Sequence, residues 1–163
     1  MMHILEAGPL IAATADVAVD PPTSWREFWH SAMTVASGRT AVPDCPRTLG
    51  GSALSSLGFG AASTERAERI RAAALIGAAR PHVSVVADPL AELVRGRAVL
   101  ALLRPRDRRR LPERCGIAVT APVEQGESWA TLFAVPRRSR RPDAAERVIA
   151  ALLGEAVAAN GVP

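Results

Sequence analysis

The chain has 163 residues, 48% of them hydrophobic, which suits one domain with a sizeable core and excludes wholesale disorder. Its net charge is +4, all 20 basic residues are Arg, and there is no Tyr beside three Trp and three Phe, so the core must be built chiefly from Ala, Val and Leu. No apolar run reaches the roughly 18–20 residues of a membrane span, and Ala13-Thr14-Ala15 follows a stretch broken by Glu6 and Pro9, so a signal peptide is not expected.

Residues 3–19 predict one or two short strands interrupted at Gly8-Pro9 and ended by Asp20-Pro21-Pro22. Ser24-Trp25-Arg26-Glu27 fits a capping box, and Trp25, Phe28, Trp29, Ala32 and Met33 share one helical stripe, predicting a core helix that stops at Gly38. Residues 39–62, punctuated by Pro43, Pro46, Gly50, Gly51, Gly58 and Gly60, show no periodicity and predict a loop-rich segment. Ser63 or Thr64 should cap a helix running to about Ala79, with Glu65 in its first turn. His82–Ala87 is a compact buried strand candidate, Pro89–Gly96 a short helix with Pro at its start and Gly at its end, and Arg97–Leu103 is ambiguous by period, its length and flanks favouring a strand.

Residues 116–161 predict a β-hairpin and a terminal helix. Gly116–Val123 and Trp129–Val135 are apolar and β-prone, separated by Glu124-Gln125-Gly126-Glu127, with Pro122 suited to an edge position. Asp143 and Glu146 give a capping pattern, and Ala145, Val148, Ile149, Leu152, Leu153, Ala156 and Val157 form an apolar face that should end at Gly161. The expected fold is therefore a single α+β domain over 1–163, with a central, mainly antiparallel sheet and a C-terminal β-hairpin packed by helices.

The basic excess lies wholly in the second half: residues 1–81 carry seven Arg and seven acids, residues 82–163 thirteen Arg and nine acids. Arg104, Arg106, Arg108, Arg109, Arg110 and Arg114 precede the expected hairpin, and Arg137, Arg138, Arg140 and Arg141 follow it. A turn near Gln125–Gly126 would set Arg114 opposite Arg137 and join both clusters at the open end. Such a patch would neutralise phosphates or an acidic protein face, while Arg use throughout also fits codon bias in a GC-rich genome and a merely solvated rim. Stacking aromatics are missing nearby apart from Trp129 and Phe133, which argues against single-strand binding.

No catalytic set is legible: GxSxG, GxGxxG after a strand, a Walker motif and HExxH are all missing. Cys45 and Cys115 with His3, His30 and His82 lack zinc spacing, so no metal site is expected; a disulfide between the two cysteines is the alternative to the expected free thiols in a reducing cytoplasm. Cys115, between Arg114 and Gly116, is either an incidental thiol or one whose pKa the neighbouring charge lowers. His30 and His82 have no identifiable carboxylate partner, and no cofactor class is specified.

Two resemblances add to this. Ile4-Leu5-Glu6-Ala7-Gly8-Pro9-Leu10-Ile11-Ala12 resembles the opening of PIN-domain nucleases, which implies an acidic metal ligand at Glu6, with Asp88 or Asp107 as further carboxylates. Gly116-Ile117-Ala118-Val119, Ala121-Pro122-Val123, Gly126, Trp129-Ala130-Thr131-Leu132 and the helix 143–160 resemble the closing segment of GAF-type sensor domains and of IclR-like effector domains. Val35–Asp44 resembles the loop that precedes their ligand pocket. This second likeness implies a non-catalytic, cytoplasmic regulatory or sensory domain holding a small ligand, with Asp44, Cys115 and Trp129 as candidate contacts. A homodimer through the terminal helices is the candidate assembly. The alternative is a module binding nucleic acid or an acidic protein through the paired arginine clusters, with the nuclease as a third reading.

Overall fold

The computed structural model describes residues 2–6, 8–16, 21–111, 116–124 and 129–160. In chain order it contains β1 (Met2–Glu6), β2 (Leu10–Thr14), α1 (Trp25–Met33), β3 (Thr40–Pro43), α2 (Pro46–Ser56), α3 (Arg66–Ala79), β4 (Val83–Val86), α4 (Pro89–Val94), β5 (Leu100–Leu103), β6 (Ile117–Thr120), β7 (Trp129–Phe133) and α5 (Pro142–Asn160). Tight 3-10 turns occupy Arg80–His82 and Pro105–Arg110.

The chain divides into two compact units. Met1–Ala7 and Ser128–Pro163 form the smaller. There β1 and β7 pair antiparallel, from Met2 opposite Phe133 to Glu6 opposite Trp129, and α5 lies against β1.

Gly8–Glu127 forms the larger unit around a five-stranded sheet of order β4-β3-β5-β2-β6. β3 runs parallel to β4 and β5, whereas β2 runs antiparallel to both β5 and β6. The sheet is thus mixed, not mainly antiparallel, although the protein does combine sheet and helix as expected.

Burial on both faces explains the composition of the central strands. Ile11, Ala13, Val42, Leu100 and Leu102 meet the helices α1, α2 and α3 on one side. Leu10, Ala12, Ala41, Ala101 and Leu103 meet Leu90 and Leu93 of α4 on the other. Strands covered twice read as continuous apolar runs, and their alternate residues divide between two cores. The largest buried side chains are Trp25, Trp29 and Phe28 of α1. Phe28 meets both indoles edge-on, at centroid distances of 5.8 Å to Trp25 and 5.4 Å to Trp29, the arrangement that ring quadrupoles favour.

The C-terminal β-hairpin does not form. β6 pairs with β2, Thr120 opposite Ile11, while β7 pairs with β1 in the other sheet. Both apolar runs are strands, but each finds its partner among the first fourteen residues, and the two lie in separate units. The expected turn at Gln125–Gly126 and the helix stop at Gly161 lie outside the described residues.

Residues 39–62 also differ from expectation, folding as β3 and α2. Pro46 takes the first helical position, where a missing N–H costs nothing, and Thr48, Gly51, Ser52, Ala53, Ser55 and Ser56 are buried. Small side chains let α2 approach α1 and α3, a packing demand that leaves no amphipathic stripe to read.

At the start of α1 the Ser24 hydroxyl accepts from the Glu27 N–H at 3.1 Å, as a capping box requires. The reciprocal arm shifts by one residue: Glu27 accepts from the N–H and hydroxyl of Thr23 at 2.7 and 3.0 Å. These Thr23 bonds hold the Glu27 carboxyl below its ordinary pKa. Ser24→Ala should cost about 1 kcal/mol in urea unfolding. Glu27→Gln should cost stability at neutral pH, and the gap should close as pH falls below about 4, because a carboxyl of lowered folded pKa stabilises only while ionised.

Candidate functional site at the carboxyl edge of the larger sheet

The strand order creates a crevice. From β3 the chain passes through α2 and α3 to β4 on one side, then through α4 to β5 on the other side of β3. Connections that depart in opposite directions leave an opening outside the carboxyl ends of the parallel strands, where open α/β sheets bind ligands. Asp44 and Cys45 follow β3 at this edge, Asp88 follows β4, and Arg104 follows β5.

Three further segments converge there. β2 begins at this edge and β6 ends at it, since Leu10 lies opposite Leu103 and Ile11 opposite Thr120. α1 also starts here: the Val123 N–H donates to the Thr23 carbonyl at 2.9 Å, and both oxygens of Glu124 accept from the Trp25 N–H at 3.0 Å. An anionic carboxylate on the first turn of a helix is favoured by the helix dipole.

A chain of charges organises the edge. Asp107, only 1% exposed, accepts from the Arg104 backbone N–H at 3.2 Å, from Arg104 Nε at 3.0 Å and from Arg110 Nη1 at 3.3 Å. Arg110 Nη2 then reaches Asp88 Oδ2 at 2.6 Å. Asp88 in turn accepts from the Ala91 N–H at 3.3 Å and so caps α4. Arg110 thereby ties the turn after β5 to the helix after β4. Its guanidinium lowers the Asp88 carboxyl pKa, and Asp88 raises that of Arg110.

Cys45 opens α2, half-buried, and its sulfur accepts from the Thr48 hydroxyl at 3.2 Å. That bond lowers the thiol pKa, helped by the Thr48 and Arg47 N–H groups and by the charge of Arg104, while burial opposes them. The sequence signal for this thiol was its place just before Pro46 at a helix start, yet the expectation of reactivity fell on Cys115.

Among the residues expected to form a site, Asp44 stands exposed at the edge, its N–H bonded to the Val86 carbonyl at 3.3 Å. Its carboxylate has no hydrogen bond or ion pair among the described residues. Arg104 and Arg110 are engaged by the aspartates, and Arg108 and Arg109 are exposed on the same turn. The backbone of Arg106 belongs to this turn too. Arg137, Arg138, Arg140 and Arg141 are exposed ahead of α5, in the smaller unit. With β6 and β7 paired elsewhere, no hairpin joins the two clusters. Arg114 and Cys115 lie outside the described residues. Trp129 opens β7 opposite Glu6. Asp88 and Asp107, offered as metal ligands by the nuclease resemblance, bond instead to arginine, and no group of three His, Cys, Asp or Glu able to hold a metal occurs among the described residues. His82 sits at the opposite edge, its Nδ1 2.7 Å from the Ser37 hydroxyl.

Comparison with known proteins places the fold. No protein-family profile and no curated protein matches the sequence. The fold is similar to that of the Tp0655 (TpPotD) lipoprotein of Treponema pallidum, with a TM-score of 0.76 and 22% identity over 90% of this chain and 47% of that one. It is similar also to the spermidine/putrescine ABC transporter substrate-binding protein PotD of Streptococcus pneumoniae, with a TM-score of 0.70 and 18% identity over 90% and 46%. The periplasmic binding protein P5PA gives a TM-score of 0.61 and 15% identity over 92% and 48%. The fold is thus that of substrate-binding proteins, and the chain spans about half their length.

This likeness corrects three expectations. The chain has neither the GAF-type nor the IclR-like effector fold: β6 pairs with β2 and β7 with β1, and the similar structures are binding proteins. The regulatory or sensory role drawn from that resemblance goes with it. The cytoplasmic location is likewise withdrawn, since the similar structures are a lipoprotein, a periplasmic protein and a transporter's binding protein. Among the described residues no helix is long and apolar enough to cross a membrane.

Arg110→Ala should lower stability at pH 7, solvent screening of the exposed guanidinium keeping the loss small. The Asp88 share of that stability is present above the ordinary Asp pKa and is lost as pH falls through the lowered one. Urea unfolding at pH 7 and pH 3 should therefore show the gap shrinking in acid; an equal gap at both would assign no role to the ion pair.

Proposed function

We propose that the larger unit is a ligand-binding lobe of an extracytoplasmic solute-binding protein, and that it receives a small solute at the carboxyl edge of its sheet. The observation that carries this reading is the reversal of strand order between β3 and β5, supported by likeness to substrate-binding proteins over about nine-tenths of the chain. The role is binding: among the described residues the edge presents opposed, mutually satisfied charges around Asp88, Arg104, Asp107 and Arg110.

Asp44 selects the chemistry. Asp88 and Asp107 already neutralise Arg110 and Arg104, whereas the Asp44 carboxylate is uncommitted among the described residues. An ammonium group on the solute would meet it, and two of the similar structures, from Streptococcus pneumoniae and Listeria monocytogenes, are of proteins named for spermidine/putrescine transport. Arg108, exposed on the facing turn, would admit a carboxylate at the other end of a zwitterion. The anionic-macromolecule alternative loses weight because two of its arginines are already paired.

Calorimetry and thermal unfolding with putrescine, 4-aminobutyrate and succinate provide the test. The ammonium-bearing solutes should bind and raise Tm by mass action, succinate should not, and Asp44→Asn should weaken binding about tenfold, the scale of one lost charge-assisted hydrogen bond. Binding of succinate alone, or indifference to Asp44→Asn, would refute the assignment.

A further inference from the structure

A second concavity lies on the helical face of the larger unit. It is an open hollow of about 410 Å³, lined by Arg26, Trp29, His30 and Met33 of α1, Ser56 and Leu57 at the end of α2, and Arg71 and Leu75 of α3. The spacing is that of helix faces: residues 26, 30 and 33 recur at intervals of four and three, and 71 and 75 at an interval of four, so each helix turns one stripe toward the other. The volume falls within the about 300–1,000 Å³ typical of small-molecule sites.

The lining is divided by chemistry. Trp29, Met33, Leu57 and Leu75 supply an apolar floor, while Arg26, His30 and Arg71 are exposed at the mouth. No carboxylate is among the lining residues. The Arg71 guanidinium is held in place over the Phe59 ring at 5.0 Å from its centroid, a cation–π contact that leaves its N–H edges available. The indole Nε1 of Trp29 is buried and finds no acceptor among the described residues.

We propose that this concavity is a binding site for a small amphipathic anion, such as a medium-chain carboxylate, distinct from the solute edge. The hydrocarbon part would cover Trp29, Met33, Leu57 and Leu75, and the anionic head would lie between Arg26 and Arg71 with His30 as a further donor. An apolar wall with a purely basic rim selects this class over neutral or cationic amphiphiles, because a cationic head would face two guanidinium groups without a counter-charge.

The test uses octanoate and octyltrimethylammonium below their micellar concentrations, followed by calorimetry and tryptophan emission. Octanoate should bind one per chain and shift the emission, and the cation should bind at least tenfold more weakly. Arg26→Glu combined with Arg71→Glu should reduce octanoate affinity at least tenfold with the circular dichroism unchanged. Should charge reversal impair folding, Arg71→Gln replaces it, with a severalfold loss expected. Equal binding of both amphiphiles, no binding of octanoate, or variants that bind it as the parent does would each overturn the proposal. Putrescine binding should survive these variants, which separates the two sites.

Discussion

Burial of β2, β3 and β5 on both faces is the constraint from which the rest of the larger unit follows. A strand covered twice must be apolar throughout, and helices must be available on either side to cover it. Leu10–Ala13 and Leu100–Leu103 meet the first requirement. The second places α1, α2 and α3 on one face and α4 on the other. Covering both faces from a single chain forces the connections after β3 and β4 to leave in opposite directions. That reversal opens the carboxyl edge, so the crevice is a by-product of how the core is closed.

Electrostatics then shapes what the core leaves open. Asp107 is buried at the end of β5, where an ionised carboxylate is tolerable only with partners, and Arg104 and Arg110 supply them. Arg110 carries the link onward to Asp88 and the start of α4. Much of the arginine richness of this region is thereby structural. Among the described residues, Asp44 and the exposed Arg108 take no part in this network.

The sequence was legible where local rules decide structure. The Ser24 cap with the Trp25, Phe28 and Trp29 stripe, the Pro89 start of α4, the compact runs at β4 and β5, and the Asp143 start of α5 all carry their signals within a few residues. It was illegible where partners are distant. Two apolar runs separated by a short polar break are ordinarily a hairpin, because sequential strands usually pair; here β6 pairs across more than a hundred residues with β2, and β7 with β1. Nothing within residues 116–135 encodes that choice. The helix α2 was hidden for another reason: Pro46, Gly50 and Gly51 read as breakers, and apart from Leu54 its buried residues are Ser, Thr, Ala and Gly, which packing selects and periodicity cannot see. Of the site, Asp44 and the arginine turn after β5 were picked out as residues, whereas the edge that gathers them depends on strand order.

The central claim is that a solute meets the loops at the carboxyl edge of the larger sheet. Amide-resolved NMR during a putrescine titration tests it most directly. Shift changes concentrated at residues 44–47, 88–89, 104–110 and 121–124, saturating together, are the predicted result. Saturable binding that leaves these amides unmoved would contradict the account.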